Sequence, residues 1–417
     1  MERFDKELDE IKKLRLENPS QALEMIDTLL RSTDLSNDKK GSIYLQKGLA
    51  LRSTFSKKDQ ALFEFYKSLK YFRKTGNIEG QHKALRLLGH TYNDLYHHDY
   101  ALEYYSEILS LDLDDMKSIL YARYNIARTL RLNKQFDSAI YLQKNLLIEF
   151  KNENLMIDLI DSHLEIGVSY IGLENWTEAQ KHYEAVDNLL NNFEGEKRRY
   201  IAKVWGSLGF ISMEQGDYIK AENYFSDATP LMIEANDLGM LTINYNDLAL
   251  LELKKGNQDS AVHFFEKNME LDINSTGVEE LINALNELIE LSRKKGDSKK
   301  ALAYSQRLIE ITIPFIEQSK KLEKLHNLYK AETAHHAIEN FELQESLLRA
   351  ENRNTVIGII LVFISVVAMV IFFRFKKRQT VDDSLIEALK EKYRLLNYIS
   401  QKYDLDLESM SKQLKSK

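Results

Sequence analysis

Residues 85–105 read LRLLGHTYNDLYHHDYALEYY. A small residue, Gly89, is followed twelve positions later by another, Ala101, and an aromatic, Tyr105, stands four beyond it. The same twelve-residue spacing joins Ala127 to Ala139, Gly167 to Ala179, Gly209 to Ala221 and Ala249 to Ala261. Gly48 and Ala61 keep it with one extra residue, and Ile289 and Ala301 keep it with a larger first member. From Ala61 onward the second members advance by 40, 38, 40, 42, 40 and 40 residues, and Ala22, 39 residues before Ala61, marks a degenerate first copy. A period of this length means stacked supersecondary units. The spacing suits two antiparallel helices joined by a tight turn, with small residues where their axes approach. The turns are marked by Gly216-Asp217, Gly256-Asn257 and Gly296-Asp297, each closing a first helix. The aromatic four residues after each alanine is expected to fill the gap to the next unit.

Leu88-Gly89-His90-Thr91-Tyr92 with Ala101 and Tyr105, and Ile166-Gly167 with Tyr170, Ala179 and Tyr183, resemble the tetratricopeptide (TPR) signature L-G-x-x-Y followed by A-x-x-x-F. Leu208-Gly209 with Ala221 and Phe225, and Leu248-Ala249 with Ala261 and Phe265, repeat it. The resemblance covers 1–313 and implies an all-α, right-handed superhelix of about eight helical hairpins. The usual repeat has about 34 residues, whereas this one is nearer 40, similar to the repeats of peptide-pheromone receptors and kinesin light chains.

Composition agrees with helix throughout. The chain has only three prolines and 16 glycines, and Leu, Glu, Lys, Ala and Asn dominate. A net charge of -7 gives no electrostatic case for direct nucleic-acid binding. The absence of cysteine excludes disulfides, thiolate metal sites and cysteine nucleophiles.

The stretch 356–373, VIGIILVFISVVAMVIFF, has 18 consecutive uncharged residues. That length just spans a bilayer, so a single transmembrane helix is expected over 355–373. Arg374, Lys376, Lys377 and Arg378 follow it, which by the positive-inside rule puts the C-terminus in the cytoplasm and the repeats in the periplasm of a bacterial inner membrane. The opening residues MERFDKELDEIKKLRLENP lack the apolar core of a signal peptide, which conflicts with export unless a leader has been removed. Residues 314–354 read as a polar helical linker. The segment 374–417 reads as a basic juxtamembrane stretch and a short helix or coiled coil. In it, Leu385, Leu389, Lys392, Leu396, Ile399 and Tyr403 form a heptad seam through which the chain could pair as a homodimer; a helix lying on the inner leaflet is the alternative. The layout resembles membrane-anchored TPR sensors of the Bacteroidetes type.

No chemistry-bearing motif stands out. G-x-S-x-G, the P-loop, G-x-G-x-x-G and H-E-x-x-H are all missing. The ten histidines, His97-His98 and His335-His336 among them, show no converging pattern and read as solvated. No catalytic residue, metal site or cofactor is expected.

The concave wall of such an array is lined by first helices. Positions three before, one after and four after the small residue share one inward face. This face carries Arg86, His90, Asn93, Tyr124, Arg128 and Arg131 as a cationic and aromatic patch. Leu164, Val168, Ile171, Phe210, Met213, Leu250 and Leu253 form an apolar run, with Gly206 opening space. Asn246 and Asn286 hold equivalent inward positions in consecutive repeats, where an amide can both donate to and accept from an extended peptide backbone. The expected function is a non-catalytic, membrane-anchored sensor or adaptor that binds a peptide or protein segment in this groove. A truncated TPR-type transcriptional regulator lacking its DNA-binding module and a passive membrane scaffold are the alternatives.

Overall fold

In the computed structural model, residues 2–31, 35–52, 57–271, 278–313, 316 and 320–331 are described. They divide between two units, 1–325 and 326–417, and of the second only 326–331 are described. All described secondary structure is helical. The helices form consecutive hairpins: α1 (Glu2–Glu17) with α2 (Pro19–Leu30), α3 (Asn37–Arg52) with α4 (Lys58–Thr75), and α5 (Ile78–Asp94) with α6 (His98–Leu109). Next come α7 (Met116–Leu132) with α8 (Phe136–Asn152), α9 (Met156–Gly172) with α10 (Trp176–Asn191), and α11 (Arg198–Glu214) with α12 (Tyr218–Glu234). Then α13 (Leu238–Lys254) pairs with α14 (Gln258–Met269), and α15 (Val278–Lys294) precedes a helix at 298–313. A further helix occupies 320–331.

One device terminates helices along the array. Gly76, Tyr96, Lys134, Asn154, Glu174, Gly216, Asn236, Gly256 and Gly296 all have φ between +49° and +84°. The residue after each donates its N–H to the carbonyl five positions back, as Asn77 does to Phe72 and Asp217 to Ser212. This is the Schellman closure, which satisfies carbonyls that a helix end leaves open. That next residue also caps the following helix. Asn77, Asn175, Asp217, Asp237 and Asp297 accept the N–H three residues on through their side chains. Two residues therefore end one helix, reverse the chain and start the next.

The repeating small residues are in the core. Ala22, Ala61, Ala101, Ala179, Ala221 and Ala261 are fully buried, as are Phe65, Tyr105, Tyr183, Phe225 and Phe265 four positions after the last five of these alanines. The glycine of the first helix, however, lies against the aromatic ring of its own hairpin. A methyl group at Gly89 would come within 2.5 Å of Tyr105, at Gly167 within 2.7 Å of Tyr183, and at Gly209 within 2.7 Å of Phe225. The same rings also reach the next repeat, as expected: Phe225 clusters with Leu248 and Leu251, and Phe265 with Ala284 and Leu288. The ring needs a surface without a Cβ, and each fully buried ring contributes about 1.5–3 kcal/mol. Other hairpins depart from this rule: Ala249 stands in the glycine position of the hairpin that buries Phe265, and Ala127 replaces the glycine of a hairpin whose aromatic position holds Gln143, buried with neither amide atom hydrogen-bonded. Packing is local. Each helix meets its chain neighbours, and first helices also meet across repeats, α7 with α9, α9 with α11, α11 with α13 and α13 with α15.

The expected placement in a bacterial inner membrane is corrected here. Crossing a bilayer takes about 20 consecutive apolar residues, and no helix among the described residues is long and apolar enough. The longest of them, α4, carries Lys58, Asp59, Glu64, Lys67, Lys70, Arg73 and Lys74 along its 18 residues. The stretch 356–373 lies outside the described residues, as do the basic segment and heptad seam on which the orientation and the dimer were based.

Candidate functional site

The first helices α7, α9, α11 and α13 stand side by side and enclose a cavity of about 430 Å³. Arg128 and Arg131 line it from α7; Leu164, Glu165, Val168 and Ile171 from α9; Lys203, Gly206, Ser207 and Phe210 from α11; Met240, Ile243, Asn244 and Asp247 from α13. Tyr183 of α10 and Met232 of α12 reach it from behind. Gly206 opens space as expected, since the nearest atom to a methyl built there is the Met232 Cε at 3.5 Å.

The α7 end is charged but partly self-paired. Glu165 lies 3.5 Å from Arg128 Nε and also pairs with Arg131. Burial pulls the Arg128 guanidinium pKa down, but Glu165, together with Tyr124, Tyr105 and Asp94, outweighs it, and the net shift is upward. Lys203 is shifted down, by burial first, with Asp161 opposing.

The α13 end is acidic, and Asp247 there has no hydrogen bond or ion pair among the described residues. Burial, with Glu214 and Glu280 adding repulsion, pushes the Asp247 carboxyl up to about 8. Asp247 keeps some surface open to the cavity, yet protein around it replaces most of the water that would solvate its charge. Beside it, Asn244 is 1 % exposed. α12 fixes its amide, for Nδ2 donates to the Phe225 carbonyl at 3.2 Å and to Thr229 Oγ1 at 2.8 Å. This contact sits next to Pro230, which interrupts the α12 ladder. The Asn244 Oδ1 is left buried and unpaired, as is the Asn246 Oδ1.

The nine residues expected to form the site do not act as one group. Arg128, Arg131 and Phe210 line the cavity. Phe210 also lies against Trp176, with ring centroids 6.3 Å apart. Asn246 is half-buried with its unpaired oxygen, while Asn286 is exposed. Three others are engaged by neighbouring side chains. His90 Nδ1 meets the Tyr105 hydroxyl at 3.0 Å, and burial, followed by Arg52, Arg86 and Arg128, lowers its pKa to about 3. Asn93 donates to Thr129 Oγ1 at 2.7 Å, and its Oδ1 meets His98 Nδ1 at 3.0 Å. Tyr124 packs against Phe150, with ring centroids 6.4 Å apart. Arg86 is exposed.

The spacing rule missed Glu165, Ser207 and Asp247, all two positions before the small residue, and Lys203 and Ile243, six before it. A wall built by four helices exposes a broader strip of each helix than three positions. The signal was present in a residue type: an aspartate between Asn246 and Leu248 on a buried stretch. The reading of all histidines as solvated is also corrected. His163 Nδ1 and His182 Nδ1 lie 2.9 Å apart across the α9–α10 hairpin, both half-buried and both shifted down, mainly by burial, His182 to about 4.

This arrangement of hairpins recurs in solved structures. NprR in complex with its cognate peptide NprX aligns with a TM-score of 0.52 and 19 % identity, over 79 % of this chain and 99 % of that one. A tetratricopeptide repeat protein from Parabacteroides merdae aligns at 0.45 and 17 %, over 68 % and 98 %. The chain has the fold of a TPR-type helical repeat protein. A Rap protein complexed with competence and sporulation factor aligns at 0.47 and 16 %, over 76 % and 100 %. No protein-family model and no curated protein matches this TPR chain.

Proposed function

We propose that this TPR array binds an extended peptide or protein segment along the wall made by α7, α9, α11 and α13, and performs no chemistry on it. The observation that carries the reading is the cavity itself: an apolar lining beside a buried amide oxygen, that of Asn244, held in place and unpaired. An unpaired buried acceptor is unfavourable by about 1–3 kcal/mol, and a ligand N–H would relieve that. Leu164, Val168, Ile171, Phe210 and Ile243 offer apolar contacts for ligand side chains. NprR, a protein of similar fold, is known in complex with its cognate peptide, which supports a peptide ligand here.

The test is peptide-array binding by the full-length protein, followed by calorimetry on the peptides retained. Asn244→Ala and Asn246→Ala are each expected to weaken binding by about 1–3 kcal/mol, and Gly206→Leu, which fills the cavity, to abolish it. Retained peptides that bind all three variants as tightly as the parent would place recognition elsewhere on the array.

A further inference from the structure

Asp247 is the residue whose situation the wall alone does not explain. Its carboxyl makes no hydrogen bond or ion pair among the described residues. The charges acting on it, Glu214 from α11 and Glu280 from α15, are of its own sign. Glu214 is partly satisfied by Lys254 at 3.3 Å. The cations of the cavity are answered elsewhere: Arg128 and Arg131 face Glu165, and Lys203 is subject to the field of Asp161. Asn244, three residues before Asp247 on α13, lines the same cavity; its side chain is 1 % exposed, its amide nitrogen is already used twice and its Oδ1 has no partner. Both polar groups at this end of the cavity therefore lack a donor.

We propose that the Asp247 end of the cavity seats a cationic donor group of the bound segment, a lysine or N-terminal ammonium or an arginine guanidinium. This deepens the peptide reading and rests on it. An ammonium has three N–H donors and no acceptor. One can meet the Asp247 carboxylate as a charge-assisted bond and another the Asn244 oxygen. The aliphatic stem of a lysine or arginine would lie along Ile243 and Met240, which line the same stretch of α13. Arg128 at the far end, 45 % exposed in its side chain, would then take an acidic group, so the wall selects a segment positive toward α13 and negative toward α7.

The experiment is a positional-scanning heptapeptide array with one position fixed as lysine, arginine, norleucine or glutamate and the others randomised, probed with the full-length protein. Lysine or arginine sublibraries are expected to be retained at least tenfold over norleucine. Asp247→Asn should reduce that preference at least tenfold, and Asp247→Lys should turn it toward glutamate, with circular dichroism confirming that each variant is folded. Retained peptides showing no preference for a cation, or a preference that both variants keep, would overturn the seat while leaving peptide binding standing. No retention of any sublibrary by the parent would overturn the peptide reading and the seat together.

Discussion

Gly167 and Gly206 lie on neighbouring first helices and carry opposite constraints. A methyl at Gly167 would sit 2.7 Å from the Tyr183 ring, whose edge is held by a fully packed hairpin. A methyl at Gly206 meets only the flexible end of Met232, at ordinary contact distance. Gly167→Ala should therefore lower stability by about 1–3 kcal/mol through overpacking. Gly206→Ala should raise it by about 0.5–1 kcal/mol, because alanine is the better residue inside a helix. Urea denaturation of both variants checks this; equal effects would mean the glycine–ring contact does not set the hairpin geometry. At this scale the small-residue pattern was legible in the sequence, but its partner was not. Twelve-residue spacing identifies two helices that approach, whereas which side chain fills the approach depends on rotamers and helix crossing.

At the scale of the element, the paired left-handed residue and N-cap is the repeating joint. Where the joint uses glycine, as at Gly216, the conformation is free of Cβ strain; Tyr96, Lys134 and Glu174 adopt it with a side chain. A left-handed residue with a Cβ is disfavoured by about 1–2 kcal/mol, part of which glycine returns as entropy in the unfolded chain. Glu174→Gly should thus stabilise by about 0.5–1 kcal/mol, while Asn154→Gly, starting from a residue that tolerates this region, should change little. Thermal melts of the two variants distinguish them. A destabilised Glu174→Gly would show that the α9–α10 turn is held by side-chain contacts. The joints at Gly216, Gly256 and Gly296 could be read directly from Gly-Asp and Gly-Asn. Those at Tyr96 and Lys134 could not, since nothing local requires a tyrosine or lysine to turn left-handed. Packing of the two helices on either side imposes it.

At the scale of the whole molecule, stability is a sum over hairpins and their nearest-neighbour interfaces, so titrating groups in hairpins that are not adjacent, such as α9–α10 and α13–α14, act independently. The His163–His182 pair has folded pKa values below the usual 6.5, His182 at about 4. Between about 6.5 and 4 the unfolded chain binds more protons, so this contribution is present above 6.5 and is lost as pH falls through the window. Asp247 has the opposite sign. Its folded pKa of about 8 lies above the ordinary carboxylate value of 3.8, so the folded state binds more protons and stability declines as pH rises toward 8. Urea midpoints measured from pH 4 to 8 should show that His182→Asn removes part of the acid-side loss and Asp247→Asn part of the alkaline-side loss. Parallel curves for parent and variants would mean that neither group is shifted in solution.

What the sequence by itself determined was the repeat: helix content, the period near 40 residues, the sites of close helix approach and the glycine-marked turns. These are local properties, set within one or two hairpins by residue size and backbone preference. It also placed Arg128, Arg131 and Phe210 on the inward face of their helices, and all three line the cavity between α7, α9, α11 and α13, because one helical face is fixed by the 3.6-residue period. Only the tertiary structure decided the rest of the cavity lining. His90 and Asn93 are engaged by Tyr105, His98 and Thr129 from adjoining helices, and Asn244 and Asp247 became its polar end. The width of the wall and the pairing across it depend on how four helices from successive repeats are set side by side, and residues about 40 positions apart carry no local record of that distance.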